Sequence, residues 1–180
     1  RYMRVQKRNG KKEEVSFDKV INRLKSLCTQ EKYGTPLNLD VINIAQKVVS
    51  RIYDEVKTTE LDELAGQICT SMITEHPDYG LLASRIIISN NHKNTSPSFS
   101  ETISMLYNNK NIFDHHTPLV SEEVYNIVIE HKTKFNDIID YSRDFEFDYF
   151  AFKTLEKAYL MKINKVIIER IQHLFLRVAI

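Results

Sequence analysis

Residues 5–28 read VQKRNGKKEEVSFDKVINRLKSLC, and this stretch decides how the fold begins. Met3, Val5 and Lys7 alternate with Arg4, Gln6 and Arg8, which is the period of a strand with two unlike faces. Asn9-Gly10 follows, a dipeptide suited to a type I′ hairpin turn, whose two central residues take positive φ. Lys11 to Ser16 reads as the return strand. Asp18 is the expected N-cap of a helix whose apolar residues, Val20, Ile21, Leu24, Leu27 and Cys28, recur at helical spacing. Gly34 and Pro36 close that unit.

Working outward, Asp40 is the next expected cap, ahead of a stripe formed by Val41, Ile44, Ala45, Val48 and Ile52. Thr58-Thr59 opens a third helix, and Thr59-x-x-Asp62 has the spacing of a capping box with a shortened acid. Leu61, Leu64, Ala65, Ile68, Cys69, Met72 and Ile73 form its core face. His76-Pro77-Asp78 punctuates, with Pro77 suited to a first helical position. A fourth helix is predicted from about Asp78 to Asn91, with His92 and Lys93 complementing the dipole at its end. A lone hairpin is marginal in water, so it must pack on these helices. Residues 94–100 (NTSPSFS) are polar and contain Pro97, the signature of a linker. Beyond it come a short helix from Glu101 to Asn108 and another starting at Ser121. An aromatic run from Phe145 to Phe152 lacks interleaved basic residues and reads as core. The apolar segment from His173 to Ile180 carries no cap, which reads as a chain cut short within a second domain. The expected fold class is mostly α (α+β): a four-helix unit with a small β-hairpin or sheet cap over residues 1–93, a linker over 94–100, and further helices over 101–180.

Of the 180 residues, 42% are hydrophobic and 27% charged, a balance that excludes disorder. Lys and Arg number 25 against 24 Asp and Glu, so no global field draws the chain to nucleic acid or an anionic membrane. Any anion must be bound locally. Cys28 and Cys69 both fall in apolar helical patterns, as expected of buried thiols in a reducing compartment such as the cytoplasm, although one pair leaves a disulfide open. No apolar run approaches the ~20 residues of a membrane span. Arg1-Tyr2-Met3-Arg4 leads directly into polar sequence and reads as a trimmed start, not a signal peptide. No CxxC pair, P-loop, nucleophile elbow or HExxH is present. His115-His116 lacks partners at metal-ligand spacing.

Three clusters could carry binding chemistry. Lys7 and Arg8, before the turn, and Lys19, just inside the first helix, place positive charge on one edge, which a triphosphate requires. Asp18 opposes this unless it pairs with a lysine. A solvated charged hairpin accounts for the same residues. Thr58 and Asp62, one helical turn apart, could hydrogen-bond a base or ribose, or simply cap a helix. Lys93 could reach a phosphate, or simply complement a helix end.

A resemblance bears on these alternatives. The opening VQKRNGKKEEVSFDKVINRLKSLC, then TTELDELAGQI and HPDYGLLASRIIISNNHK, resemble the ATP-cone domain of eukaryote-type class I ribonucleotide reductase large subunits. RDFEFDYFAFKTLEKAYLMKIN and ERIQHLFLRVAI resemble the segment leading into the catalytic barrel of those enzymes. The resemblance covers nearly the whole chain. It implies an allosteric module that binds ATP or dATP, with Mg²⁺, and sets the activity of an enzyme making deoxyribonucleotides for DNA synthesis. Carried over by motif, the nucleotide contacts are Lys7, Arg8, the stretch Glu13, Glu14, Val15, Ser16, Phe17, Asp18 and Lys19, together with Thr58, Asp62 and Lys93. The family also implies a radical-generating small subunit as partner and a homo-oligomer. Its catalytic cysteines would lie beyond Ile180, so the segment alone is expected to be inert. Two departures stand out: Lys165 and Ile171 occupy positions where the family has Gly and Pro, which puts a turn near Asn164 in question. Two alternatives belong to other classes: the cone of a transcriptional repressor, which would carry CxxC pairs, and a helical interaction module that binds no nucleotide.

Overall fold

The computed structural model describes residues 3–180, and Arg1 and Tyr2, on which the reading of the start partly rests, lie outside the described residues. The chain is mostly helical with two small sheets, and it forms two compact units. The first runs to Asn90 and includes Phe145–Tyr149, and the second comprises Asn91–Asp144 and Phe150–Ile180.

In the first unit, β1 (Arg4–Gln6) pairs antiparallel with β2 (Lys12–Glu14) and parallel with β3 (Val56–Lys57), giving the order β2-β1-β3. The hairpin turn differs from the predicted type I′. Gly10 has φ +80°, whereas Asn9 is not at positive φ. Gly10 N–H donates to Lys7 O at 2.9 Å and Lys7 N–H to Lys11 O at 2.8 Å. This is a three-residue loop in which only glycine takes the left-handed conformation. The Asn9 side chain is used instead to accept from Lys11 N–H at 3.1 Å. β3 was not legible as a strand. Val56 is 3% exposed and follows Glu55 at φ +66°, a two-residue pairing too short to show alternation.

Helix α1 (Phe17–Thr29) is capped by Ser16, not by the expected Asp18. Ser16 has extended backbone, and its Oγ accepts from Lys19 N–H at 3.3 Å, while Asp18 sits in the first turn. Asp40 caps α2 (Val41–Val49) as expected, accepting from Asn43 N–H at 3.0 Å. In α3 (Thr58–Ser71) the N-cap position is Lys57, and the capping-box reading of Thr59 and Asp62 fails because Asp62 turns inward. Helix α4 (Asp78–Asn94) extends one turn past the predicted end. Leu24, Leu27, Ile44, Val48, Ile68, Met72, Leu82 and Ile86 fill the core between these helices. Arg85 is also buried, and it donates to Leu27 O at 3.0 Å and Thr35 O at 2.7 Å, satisfying carbonyls at the exit of α1. Gly34 sits at φ +118°, and a Cβ there would lie 3.0 Å from the Arg85 guanidinium, so both backbone and space require glycine.

The second unit contains α5 (Phe99–Tyr107), capped by Ser98, and α6 (Glu122–Glu130), capped by Ser121 as expected. α7 (Lys132–Asp137), α8 (Tyr149–Ala158, which starts in the first unit), the hairpin β4 (Lys162–Ile163) and β5 (Val166–Ile167), and α9 (Ile171–Ala179) follow. Phe99, Ile103, Leu106, Val128 and Ile168 form its core. The aromatic run is only partly core: Phe152 is fully buried, but Phe150 is 65% exposed. Asn164 and Lys165 take φ +50° and +67° in the two-residue β4–β5 turn, so Lys165 adopts the geometry that suits glycine. Ile171 opens α9, the position where proline is tolerated because its N–H has no intrahelical partner. Among the described residues, no helix is long and apolar enough to cross a membrane.

Candidate functional site

The predicted residues of the first unit fall into two ion clusters built on the same plan. In the first, Glu13 on β2 accepts from Lys19 Nζ at 2.7 Å, and Lys7 Nζ lies 3.6 Å from the same oxygen. The Lys19 hydrogen bond, helped by the charges of Lys19 and Lys7, holds the Glu13 carboxyl below its usual range. Hairpin register sets this cluster. Glu13 pairs with Val5, so Lys7 lies two residues along the opposing strand, and Ser16 starts α1 so that Lys19 comes round after one turn. Glu14 and Asp18 are exposed beside it, Val15 N–H donates to Met3 O at 2.9 Å, and Phe17 is half-buried.

In the second cluster, Asp62 Oδ2 receives Arg23 Nη2 at 3.4 Å and Arg8 Nη2 at 3.6 Å. Arg8 also donates to Asn90 Oδ1 at 2.6 Å, and Arg23 donates to Ser89 Oγ at 2.9 Å. Asn90 Nδ2 in turn reaches Thr59 O at 3.4 Å. Loop, α1, α3 and α4 therefore converge on one carboxylate whose side chain is 13% exposed. Thr58, half-buried, opens the helix that carries Asp62. Lys93 is exposed on the last turn of α4 and belongs to the second unit.

Arg23, Ser89 and Asn90 escaped the reading of the sequence. Arg23 sits beside Leu24 on the edge of an amphipathic helix and looks like an ordinary solvated cation. A signal for the other two did exist: Ile86-Ile87-Ile88 runs straight into Ser89-Asn90-Asn91, and all three polar residues are buried. Polar groups buried in a helix interior need partners, so such a run marks a network.

Each cluster gathers two cations on a single carboxylate oxygen. Guanidinium and ammonium groups held this way suit an anionic ligand, with the carboxylates fixing where the cations stand. Among the described residues, no group of three or more His, Cys, Asp or Glu stands where it could hold a metal ion. Cys28 and Cys69 are buried free thiols. Burial pushes Cys28 up and Cys69 up to about 12, so neither is a nucleophile.

Residues 3–94 match the family model described as ATP cone domain, and residues 145–180 match that of the ribonucleotide reductase all-alpha domain. The chain is 50% identical to the ribonucleoside-diphosphate reductase large subunit of Dictyostelium discoideum, over 99% of this chain and 21% of that protein. It is 48% identical to the large subunit from Vaccinia virus (strain Copenhagen), over 99% of this chain and 23% of that one. It is 46% identical to large chain 2 of Saccharomyces cerevisiae, over 99% and 20%. The chain thus spans about a fifth of the length of these curated relatives. The three-stranded sheet on a helical unit and the paired cation clusters lie within the matched span of 3–94, and the chain belongs to the ATP-cone family.

Proposed function

We propose that this chain is the nucleotide-sensing N-terminal part of a ribonucleoside-diphosphate reductase large subunit. The observation that carries the reading is the pair of two-cation, one-carboxylate clusters, Lys7–Glu13–Lys19 and Arg8–Asp62–Arg23, inside an ATP-cone domain. The ligands are ATP and dATP. Lys7, Arg8 and Lys19 offset the triphosphate charge, and the segment Glu13 to Lys19 lines the site. Thr58 and Asp62 hold base or ribose. A magnesium ion would arrive on the nucleotide's own phosphates, in keeping with Glu13 and Asp62 being already paired with cations. The two nucleotides differ by one hydroxyl, so any difference in regulation rests on a small differential affinity for two states of the whole enzyme.

For the whole protein we propose reduction of ribonucleoside diphosphates with a radical-generating small subunit and assembly as a homo-oligomer, in the cytoplasm. Residues 1–93 form the regulatory domain, 94–100 the junction and 101–180 the start of the larger domain. The match of 145–180 to a reductase domain favours this over a repressor. Titration calorimetry of the chain with ATP and with dATP, both with Mg²⁺, tests the reading. Saturable heat at one site is expected, and no heat with either nucleotide would refute it.

A further inference from the structure

We propose that Arg23 is a positioning residue of this site, holding Asp62 in the orientation in which it meets the nucleotide; the proposal rests on the nucleotide reading above. Two cations reach Asp62, but they are anchored differently. Arg8 comes from the hairpin loop and is tied to Asn90 at 2.6 Å. Arg23 comes from the body of α1, and Ser89 Oγ on α4 accepts from the same Nη2 that meets Asp62. Its neighbour Leu24 is 2% exposed and Ile86, a turn before Ser89, is fully buried, so helix packing fixes where this guanidinium stands.

Among the described residues both contacts to Asp62 fall on Oδ2. Oδ1 is therefore the oxygen that can accept from a nucleotide hydroxyl or amino group. The side chain is nearly buried, and a carboxylate so placed is costly unless paired. Removing Arg23 takes away the nearer of the two cations, the one carried by a helix, and leaves Arg8 Nη2 at 3.6 Å, carried by the loop and held through Asn90. Arg23 Nε is buried with no acceptor, and its side chain is 21% exposed. An arginine with an unsatisfied buried donor is poorly placed if its purpose were stability alone.

A double-mutant cycle tests this, using calorimetry on the full chain with Mg²⁺ and ATP or ADP. Arg23→Ala is expected to weaken ATP about tenfold, a typical loss for one charge-assisted contact. Arg23→Lys is expected to restore much of that loss. Because Arg23 acts through Asp62, Arg23→Ala in an Asp62→Asn background should change affinity less than twofold, and the factor lost should be equal for ATP and ADP. An undiminished loss in the Asp62→Asn background, or a larger loss for ATP than ADP, would overturn the proposal, because Arg23 would then act independently of Asp62 or touch phosphate. Unchanged affinity in Arg23→Ala overturns it too. Should Arg23→Ala not fold, Arg23→Gln replaces it in the same cycle with the same expectations. If the unmodified chain binds neither nucleotide, the nucleotide reading falls and this proposal with it. Binding by the unmodified chain with an additive cycle overturns this proposal alone.

Discussion

Two polar networks, one in each unit, differ in how completely they are closed. In the first unit, Asp62 meets its cations at 3.4 and 3.6 Å, at the long end for ion pairs, with all three side chains partly exposed. In the second, Asp144 is fully buried. It accepts from Gln172 Nε2 at 2.9 Å, and His92 Nε2 lies 2.6 Å from its other oxygen. Arg170 there donates to Thr95 Oγ1, His92 O and Thr95 O within 3.1 Å and lies over the Tyr141 ring, 4.5 Å from its centroid. Tyr141 donates to Pro97 O and sits 2.7 Å from His173 Nε2, while His173 Nδ1 accepts from Arg170 N–H at 3.2 Å. Short, buried and multiply bonded contacts hold a structure together. Longer ion pairs between partly exposed side chains contribute less to stability.

The largest expected effect breaks the closed network. Asp144→Ala removes the acceptor that His92 and Gln172 share, and breaking a buried pair costs about 3 kcal/mol. Urea unfolding would show it, and a change under ~1 kcal/mol would mean the second network is no more structural than the first.

His173 sharpens the comparison through pH. Burial first, then the charges of Arg170 and His92, hold it down to about 3, so it is neutral in the folded chain. An unfolded histidine titrates near 6.5, so between those values the unfolded chain binds the extra proton and stability rises with pH. The contribution is complete above about pH 6.5 and drains as pH falls toward 3, amounting to about 1–2 kcal/mol between pH 7 and 5. The wild-type chain should therefore lose more stability over that interval than His173→Gln. Parallel pH profiles would remove His173 from the account.

In the other ion cluster of the first unit, Lys7→Ala should weaken ATP and dATP by the same factor, about tenfold, with little change in unfolding, because a phosphate contact cannot sense the 2′-hydroxyl. A loss confined to ATP would place Lys7 at the sugar instead. The smallest effect lies in the β4–β5 turn. Lys165→Gly relieves a non-glycine residue at φ +67° and should stabilise by about 0.5–1 kcal/mol, raising the thermal midpoint by a few degrees. No gain would show that the turn tolerates the lysine without strain.

What could be read ahead of the structure followed local chemistry. Helices α2 and α6 start where Asp40 and Ser121 predicted, since a cap is a bond between neighbours in sequence. The cap of α1 was misplaced by two residues because Ser16 and Asp18 are both good caps, and only the exit of β2 decides between them. Lys7, Arg8 and Lys19 stood out for their charge near a turn. Arg23 and Ser89 did not, because they lie 66 residues apart and meet only when α1 packs on α4.

The sequence by itself determined the helical class, the hairpin at the start, the cations around it and the resemblance to the ATP cone, because periodicity, turn chemistry and motif spacing are local. Only the tertiary structure decided that β3 joins the sheet beside β1 and that Asp62 faces inward to two arginines instead of capping its helix. A carboxylate's partners are chosen by which helices pack together, and burial makes leaving it unpaired too costly for the fold to allow.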